Sequence, residues 1–471
     1  TSHLDSNELD SISQDIANPN SDVYQIVNKI QKLFKNAADS ALGPEYEIKL
    51  EVDANRVSKP IRFSRETLNK RNRYYKAKRS NNGTEEKRNE LKIASKEYKK
   101  AVSKEKALHR KQRIKMLRNA KSKDPKFYWS VLSGKHKFNN ANREISPNLD
   151  FFYDKFKELA GNESHGEYRV DDNEESDVSQ GPNELNEIAD QILNIEFTVE
   201  EIFACVKALK NGKACSTDMI LNEFIKSTFD KMKQIYVSLF NRILNEGQIP
   251  ESWTIGLIVP IYKNKGDKDD FNNYRGITLL SCLGKLFTSV INSRLNRFAE
   301  ETRLINENQT GFRKNYSTLD HVFLLKNLID LNVKNGKQKL YCAFIDYKKA
   351  FDTVWRSALW HKLVKSGITG KLYNVITNMY SNIKSCVSHN GQLSDYFVSV
   401  NGVRQGENLS PFLFALFIND IEEHLTENGC NPIQVTGADV HTYLKLLVIM
   451  YADDTVLFAN SKEDLQKCLD G

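Results

Sequence analysis

The sequence contains no apolar run approaching the roughly 20 residues that a helix needs to span a bilayer, so we expect no membrane association. It begins with polar residues that do not resemble a signal peptide, and it has no initiator methionine. Its seven cysteines are scattered, odd in number and never spaced as Cys-x-x-Cys, which argues against a disulfide framework or a zinc site. These absences favour an intracellular protein, nuclear or cytoplasmic, and a fragment of a longer product.

What is present is an ordinary globular composition with an uneven distribution of charge. The 471 residues are 40% hydrophobic and 27% charged, which is enough for two or three domains with real cores. Residues 56–137 contain 28 Lys and Arg against seven Asp and Glu, a local charge of +21 in a chain of net charge +7. Such a basic block favours a polyanionic partner, most simply a nucleic acid. A charged helix that only faces solvent is the alternative.

Composition divides the chain into four predicted segments. We expect residues 1–55 to be poorly structured or a connector, with one short helix at about Val23 to Phe34. Residues 56–157 should be a basic, mainly helical extension. Residues 158–196 are acidic and rich in Gly, Asn and Ser, which is typical of a linker. From residue 197 to residue 471 helical and strand patterns alternate, which predicts one α/β domain.

A pair of adjacent carboxylates near the end of the sequence is its most informative feature. The apolar runs Leu446–Met450 and Val456–Phe458 predict two buried strands, with Asp453 and Asp454 at the tight turn between them. Upstream, another strand-like run ends in Asp346. Three carboxylates on apolar strands are the ligand set that a two-metal phosphoryl-transfer site requires. An isolated Tyr-Ala-Asp-Asp, in contrast, is often only a hairpin turn.

Three other patterns are candidates for nucleotide binding. Phe351 lies five residues after the first aspartate and can close the floor of a nucleotide pocket, although alone it is more simply a core residue. Gln405 and Gly406 belong to a glycine loop that permits close backbone approach to a nucleotide or template base. The alternative is an ordinary loop–helix junction. Lys263 and Arg275 can reach a triphosphate, or can be surface charges on a hairpin.

In their order along the chain, five motifs closely resemble the reverse transcriptase of non-LTR (LINE-type) retrotransposons. They are Asn273–Ile277, Gln309–Arg313, Phe344–Asp352, Gly402–Pro411 and Tyr451–Asp454. The resemblance implies an α+β palm with fingers in a right-hand polymerase fold, with the motif core at about residues 242–471 and the thumb missing. Residues 1–55 would then connect an endonuclease to the polymerase.

The resemblance also implies roles for individual residues. The ligands of two Mg²⁺ ions, with Mn²⁺ as a possible substitute, would be Asp346, Asp453 and Asp454. Phe351 would be the sugar gate that selects deoxynucleotides, and Gln405 and Gly406 would contact the pair of template base and nucleotide. The fingers residues that contact template or nucleotide would be Gln309, Gly311, Phe312 and Arg313.

The expected function is therefore RNA-directed DNA polymerisation, in which dNTPs are added to a DNA primer 3′-hydroxyl on an RNA template. We expect the truncated chain itself to be inactive. The main alternative is a non-catalytic RNA-binding remnant of a decayed retroelement. A third possibility is an RNA-dependent RNA polymerase, against which Phe351 at the sugar-gate position argues. The sequence departs from the family pattern at Ala214–Met219 and at Glu407-Asn408.

Overall fold

A computed structural model of the chain describes residues 4–42, 65–80, 85, 87–104, 147–161, 183–335, 339–437 and 440–470. The chain forms two compact units, one of residues 1–52 and 146–471 and the other of residues 53–145. Most of the predicted acidic linker, residues 162–182, lies outside the described residues. The four segment boundaries drawn from composition stay predictions.

Helices dominate both units. Their bounds are α1 Ser6–Ala17, α2 Val23–Leu42, α3 Arg65–Arg79, α4 Leu149–Gly161, α5 Asn183–Ile192, α6 Val199–Ala208, α7 Asn222–Glu246, α8 Glu251–Thr254, α9 Cys282–Glu301, α10 Thr318–Ile329, α11 Arg356–Lys365, α12 Gly370–Ser381, α13 Ser410–Phe417, α14 Ile421–Glu427 and α15 Lys462–Asp470. Residues 87–104 are also helical, and a π-helical turn, Asp330–Asn335, follows α10. Within the described ranges, no helix combines the length and the apolar composition that a bilayer crossing requires.

In the described part of the first unit, the strands form three sheets. Their bounds are β1 Ile255–Tyr262, β2 Tyr274–Leu279, β3 Tyr341–Asp346, β4 Lys384–His389, β5 Gln392–Leu393, β6 Phe397–Val398, β7 Ile433–Gly437, β8 Val440–Leu446, β9 Val448–Tyr451 and β10 Asp454–Ala459. The largest sheet has the order β2-β1-β4-β5, with β6 also paired to β4, and β7 pairs with β8. The third sheet, β3-β10-β9, is antiparallel throughout and carries the three predicted metal ligands at one end. This mixture of helices and sheets agrees with the predicted α/β class.

Local sequence signals account for several of these elements. Thr198 caps α6 by a reciprocal capping box with Glu201, as the Thr-x-x-Glu spacing predicts. Helix α7 ends at Gly247, which adopts a left-handed conformation with a φ of 69°. Strand β1 has the bounds that its apolar run predicts.

Residues 4–42 contain two helices and are more regular than a poorly structured segment with one short helix. Apolar residues recur at helical spacing along α2 from Val23 through Ile30 to Phe34, and this face is buried in the main core. The ring of Phe34 stacks on that of Phe224 at the start of α7, with centroids 6.2 Å apart. Residues 6–42 are therefore part of the folded unit, because their apolar face completes its core. Their role as a connector stays a prediction.

A buried arginine joins this N-terminal segment to α7. Arg242 is only 8% exposed, and its Nε donates to Glu246 Oε1 at 2.8 Å. The other guanidinium nitrogens donate to the backbone carbonyls of Asp15, Ile16, Asn18, Pro19 and Ser21. These carbonyls belong to the end of α1 and the turn that follows it, where a helix leaves its last carbonyls unpaired. One charged side chain thus donates hydrogen bonds to most of the backbone carbonyls of that turn.

The second unit contains the basic residues. In it the ring of Tyr74 on α3 stacks on that of Tyr98, with centroids 5.7 Å apart. Arg73 forms an ion pair with Glu97 at 3.2 Å. Part of the predicted helical stretch, residues 105–122, lies outside the described residues.

Replacing Arg242 with Met should lower the free energy of unfolding by at least about 2 kcal/mol, because several partly buried carbonyls lose a charged donor at once. Urea unfolding of the variant measures this. Arg297→Met is the matched control, since Arg297 forms the same i,i+4 pair with Glu301 on an exposed surface. Its effect should stay within about 0.5 kcal/mol. Equal destabilisation by the two variants would contradict the role given to Arg242.

Candidate active site

The Tyr-Ala-Asp-Asp segment forms a two-residue hairpin, as its flanking apolar runs predict. Strands β9 and β10 are antiparallel with Tyr451 opposite Asp454, so Ala452 and Asp453 form the turn. Strand β3 pairs with the other side of β10, and in this register Asp346 lies directly opposite Asp454. The three sequence-predicted ligands therefore meet at one end of one sheet.

The electrostatics of this end agree with that arrangement. The pKa of Asp454 is raised by desolvation and by the negative charges of Asp453 and Asp346. Carboxylates opposite one another on neighbouring strands repel, and a divalent cation removes that repulsion. Asp346 and Asp454 are exposed and Asp453 is half-buried, so their oxygens are accessible. In the described residues, however, no three acidic, thiol or imidazole side chains converge closely enough to form a ready-made ion site.

The turn after β3 packs against the glycine loop that precedes α13. Val403 donates its N–H to the carbonyl of Phe351 at 2.7 Å, and Gly402 donates to the carbonyl of Val354 at 2.9 Å. A Cβ on Gly402 would lie 2.6 Å from the carbonyl oxygen of Asp352, so this close approach needs a glycine. The half-buried ring of Phe351 stacks on Phe414 of α13, with centroids 5.2 Å apart. Phe351 is thus braced by the core without being wholly inside it.

The same glycine loop also contacts β2. Thr278 donates its N–H to the carbonyl of Gln405 at 2.9 Å, and a Cβ on Gly406 would lie 2.7 Å from the Thr278 carbonyl oxygen. The exposed Arg275 lies on the same strand as Thr278, three residues earlier. These contacts bring the β1–β2 hairpin and the glycine loop together.

Lys263, at the end of β1, is exposed and donates from Nζ to the carbonyl of Asn272 at 2.8 Å. Its charge also acts on Asp352, in the turn after β3. Burial raises the pKa of the Asp352 carboxyl to about 6, and the positive charges of Lys349 and Lys263 oppose that rise. Lys263 therefore lies near the turn that holds Phe351.

The four predicted template contacts have other environments than the resemblance implies. Gln309 is fully buried, and a Cβ on Gly311 would lie 2.1 Å from the backbone nitrogen of Ala452. Arg313 binds both carboxylate oxygens of Glu300 at 2.9 Å, and its side chain is only 11% exposed. Of the four, Phe312 alone presents a largely exposed side chain, at 58%. Gln309 and Gly311 both lie against the Tyr451–Asp454 hairpin. The Gln309 amide hydrogen-bonds to Ala452, and the Gly311 backbone passes too close to Ala452 to admit a side chain.

Sequence reasoning missed a buried ionic network formed by residues on either side of Gln405. Arg404 donates to Glu407 Oε1 at 2.6 Å and to the carbonyl of Trp253 at 2.7 Å. The hydroxyl of Tyr380 donates to Glu407 Oε2 at 2.7 Å, and Ser410 Oγ donates to the Arg404 carbonyl. Glu407, which departs from the family pattern, is thus fully paired inside the protein. Only the glycine-loop motif itself pointed to these residues, since burial at long range is not visible in a sequence.

Comparison with known proteins gives a family match and several relatives. Residues 262–471 match the family model described as "Reverse transcriptase (RNA-dependent DNA polymerase)". The chain is 30% identical over 269 residues to the RNA-directed DNA polymerase from mobile element jockey of Drosophila melanogaster, covering 57% of this chain and 28% of the relative. The probable RNA-directed DNA polymerase from transposon BS of the same species is 30% identical over 263 residues, covering 56% of this chain and 28% of the relative.

A more distant relative also comes from a retrotransposable element. The Pol polyprotein from type-1 retrotransposable element R2 of Nasonia vitripennis is 26% identical over 274 residues, covering 58% of this chain and 24% of the relative. The chain carries a reverse transcriptase domain of the non-LTR retrotransposon type. The recognition drawn from the motifs is confirmed. The chain spans less than a third of the length of the relatives it matches.

In this reverse transcriptase domain, Arg404→Met should lower the free energy of unfolding by about 3–5 kcal/mol, because it leaves the Glu407 carboxylate buried without its cation. Adding Glu407→Gln removes the stranded charge and should restore a substantial part of that loss. Urea unfolding of both single variants and the double variant measures the coupling. Strictly additive losses would show that the two side chains do not act as a pair.

Proposed function

We propose that this chain is the polymerase portion of an RNA-directed DNA polymerase that adds dNTPs to a primer 3′-hydroxyl. The observation that carries the proposal is the register of β3 and β10, which sets Asp346 opposite Asp454 and beside Asp453 within the matched family segment. We infer that the α/β core corresponds to the palm and fingers of a right-hand polymerase. An RNA template and a DNA primer would then lie across the open end of the β3-β10-β9 sheet.

Asp346, Asp453 and Asp454 would hold two Mg²⁺ ions, since carboxylate oxygens are the ligands that this cation prefers. Bound there, the two ions would activate the primer hydroxyl and neutralise charge on the leaving pyrophosphate. The chain's own contribution is to hold the three carboxylates together despite their repulsion. Desolvation, followed by the negative charges of Asp453 and Asp346, raises the pKa of Asp454. Mn²⁺ has a similar ligand preference and would be expected to substitute.

The incoming nucleotide would be bound between the turn after β3, the glycine loop and the β1–β2 hairpin. Arg275 and Lys263 would contact its phosphates, Arg275 being suited to a bidentate contact. Phe351 would close the pocket below the sugar, while Gln405 and Gly406 would approach the base pair. Direct hydrogen bonds join the glycine loop to each of the other two elements, which supports a shared pocket.

The basic residues between 56 and 137 would bind the phosphate backbone of RNA. The net charge of +21 on this segment would make the binding strongly dependent on salt concentration. The assignments of residues 56–157 as a basic extension and 158–196 as a linker belong to the same proposal.

Asp453→Asn should reduce dNTP incorporation by the full-length protein at least about 10³-fold, because it removes one member of a catalytic unit. Primer extension on an RNA template with Mg²⁺ measures this. Asp395→Asn, the same change at an exposed carboxylate near β5, is the control and should leave incorporation unchanged.

Unchanged incorporation by Asp453→Asn would overturn the assignment of the metal ligands. Absence of any dNTP or rNTP incorporation by the wild-type full-length protein, together with salt-sensitive RNA binding, would instead support the non-catalytic remnant.

Phe351→Val should weaken discrimination between dNTPs and rNTPs about 10- to 100-fold, because the smaller side chain leaves open the space that the ring would close below the sugar. The ratio of kcat/KM for a dNTP and its matching rNTP measures this. Tyr396→Val removes an exposed aromatic elsewhere on the unit and should leave the ratio unchanged. If Phe351→Val lowers stability but keeps the ratio, Phe351 is only a core residue.

A further inference from the structure

Gln309 holds the backbone of the catalytic hairpin from the side opposite β10. Its Oε1 accepts the N–H of Ala452 at 3.0 Å, and its Nε2 donates to the carbonyl of Ala452 at 3.3 Å. The same Oε1 accepts the N–H of Gly311 at 2.9 Å. Gln309 is 0% exposed, so its amide is committed to the hairpin and not to solvent or a ligand.

The chain around Gln309 follows β9 closely. Met450 donates its N–H to the carbonyl of Asn308 at 2.8 Å, and Thr310 donates to the carbonyl of Met450 at 3.0 Å. Gln309 and Met450 form a parallel bridge. Gly311 then passes so close to Ala452 that a side chain would not fit. This segment pairs with the side of β9 that faces away from β10, and Gln309 lies beside the turn.

The turn needs such support because of its first residue. Ala452 has a φ of 60°, in the left-handed region, although it is not a glycine. For an L-residue this conformation costs roughly 1–2 kcal/mol, so the surrounding contacts must hold it. Asp453 is the next residue, and its carboxylate direction depends on the peptide that Gln309 binds. Loss of the Gln309 amide would let Ala452 leave the left-handed conformation. The Asp453 carboxylate would then turn away from Asp346 and Asp454.

We propose that Gln309 is a positioning residue that fixes the Ala452 peptide and thereby aims the Asp453 carboxylate at the divalent cation. This inference rests on the proposed function for the identity of the cation site, but its geometry concerns the hairpin alone. It replaces the template contact that the motif resemblance implied for Gln309. A residue that supports a ligand from behind commonly changes metal affinity or activity 10- to 100-fold when it is altered.

Gln309→Met tests the proposal, because methionine fills a similar volume and removes both polar atoms. In the full-length protein, Mn²⁺ titration followed by electron paramagnetic resonance should show binding weakened about tenfold or more. The value of kcat for dNTP incorporation should fall with it, while the affinity for the RNA template–DNA primer duplex stays unchanged. Gln392→Met, the same change at an exposed position on β5, should alter none of these quantities.

Ala452→Gly adds a second, independent measurement. Glycine adopts a positive φ without steric cost, so combining it with Gln309→Met should restore part of the lost Mn²⁺ affinity. A merely structural role of Gln309 would show as recovered stability without recovered Mn²⁺ affinity. If Gln309→Met does not fold, Gln309→Asn keeps an amide but withdraws it from the turn, and the same loss and the same rescue are expected.

The outcomes distinguish the positioning role of Gln309 from the polymerase function. Unchanged Mn²⁺ affinity in Gln309→Met, or weakened duplex binding with normal Mn²⁺ affinity, would overturn the positioning role and leave the polymerase proposal intact. A different result would support the positioning role and refute the polymerase proposal. In it, Gln309→Met weakens Mn²⁺ binding and Ala452→Gly restores it, but the wild-type protein incorporates no nucleotide.

Discussion

The repulsion between carboxylates on neighbouring strands is the constraint on which this structure depends. The register of β3 with β10 sets Asp346 opposite Asp454, and the hairpin adds Asp453. Such a cluster is unfavourable without a cation, so the backbone that holds it must be rigid. Strand β10 is accordingly paired on both sides, and β9 has a further edge in the segment at Gln309. The cluster is thus held by main-chain bonds that do not depend on the charges.

Buried arginines supply rigidity where regular structure ends. Arg242 binds the turn after α1, and Arg294 binds the carbonyls that precede α6. Arg356 donates to the carbonyl of Gly402 at 2.9 Å, and Arg404 is paired a few residues further along the same loop. Each guanidinium offers several donors in a fixed plane, so one side chain can satisfy a whole irregular turn. The glycine loop that faces the proposed nucleotide pocket is fixed in this way from within the protein.

How much of this could be predicted from the sequence depended on the range of the interaction. The bounds of β1, the capping box at Thr198 and the β9–β10 hairpin follow from signals within a few residues, and the structure agrees with them. The burial of Gln309 against Ala452, 143 residues away, and the pairing of Glu407 with Tyr380 have no local signal. Before residue 43 the sequence predicts only a short helix at about residues 23–34, because the apolar faces of α1 and α2 gain stability against each other and against α7.

The motif residues divide into those that face outward and those that hold them. Asp346, Asp454 and Phe312 are exposed, whereas Gln309 and Arg404 are buried and bound to backbone. The sequence motif alone predicts substrate contact for both the exposed and the buried residues, because the order of residues does not show which side chains are buried. Burial and hydrogen-bond satisfaction do separate them: an amide with all its partners inside the protein has nothing left to offer a template. In the proposed mechanism, the effect of Gln309 on catalysis would pass through the atoms it binds, the N–H and the carbonyl of Ala452.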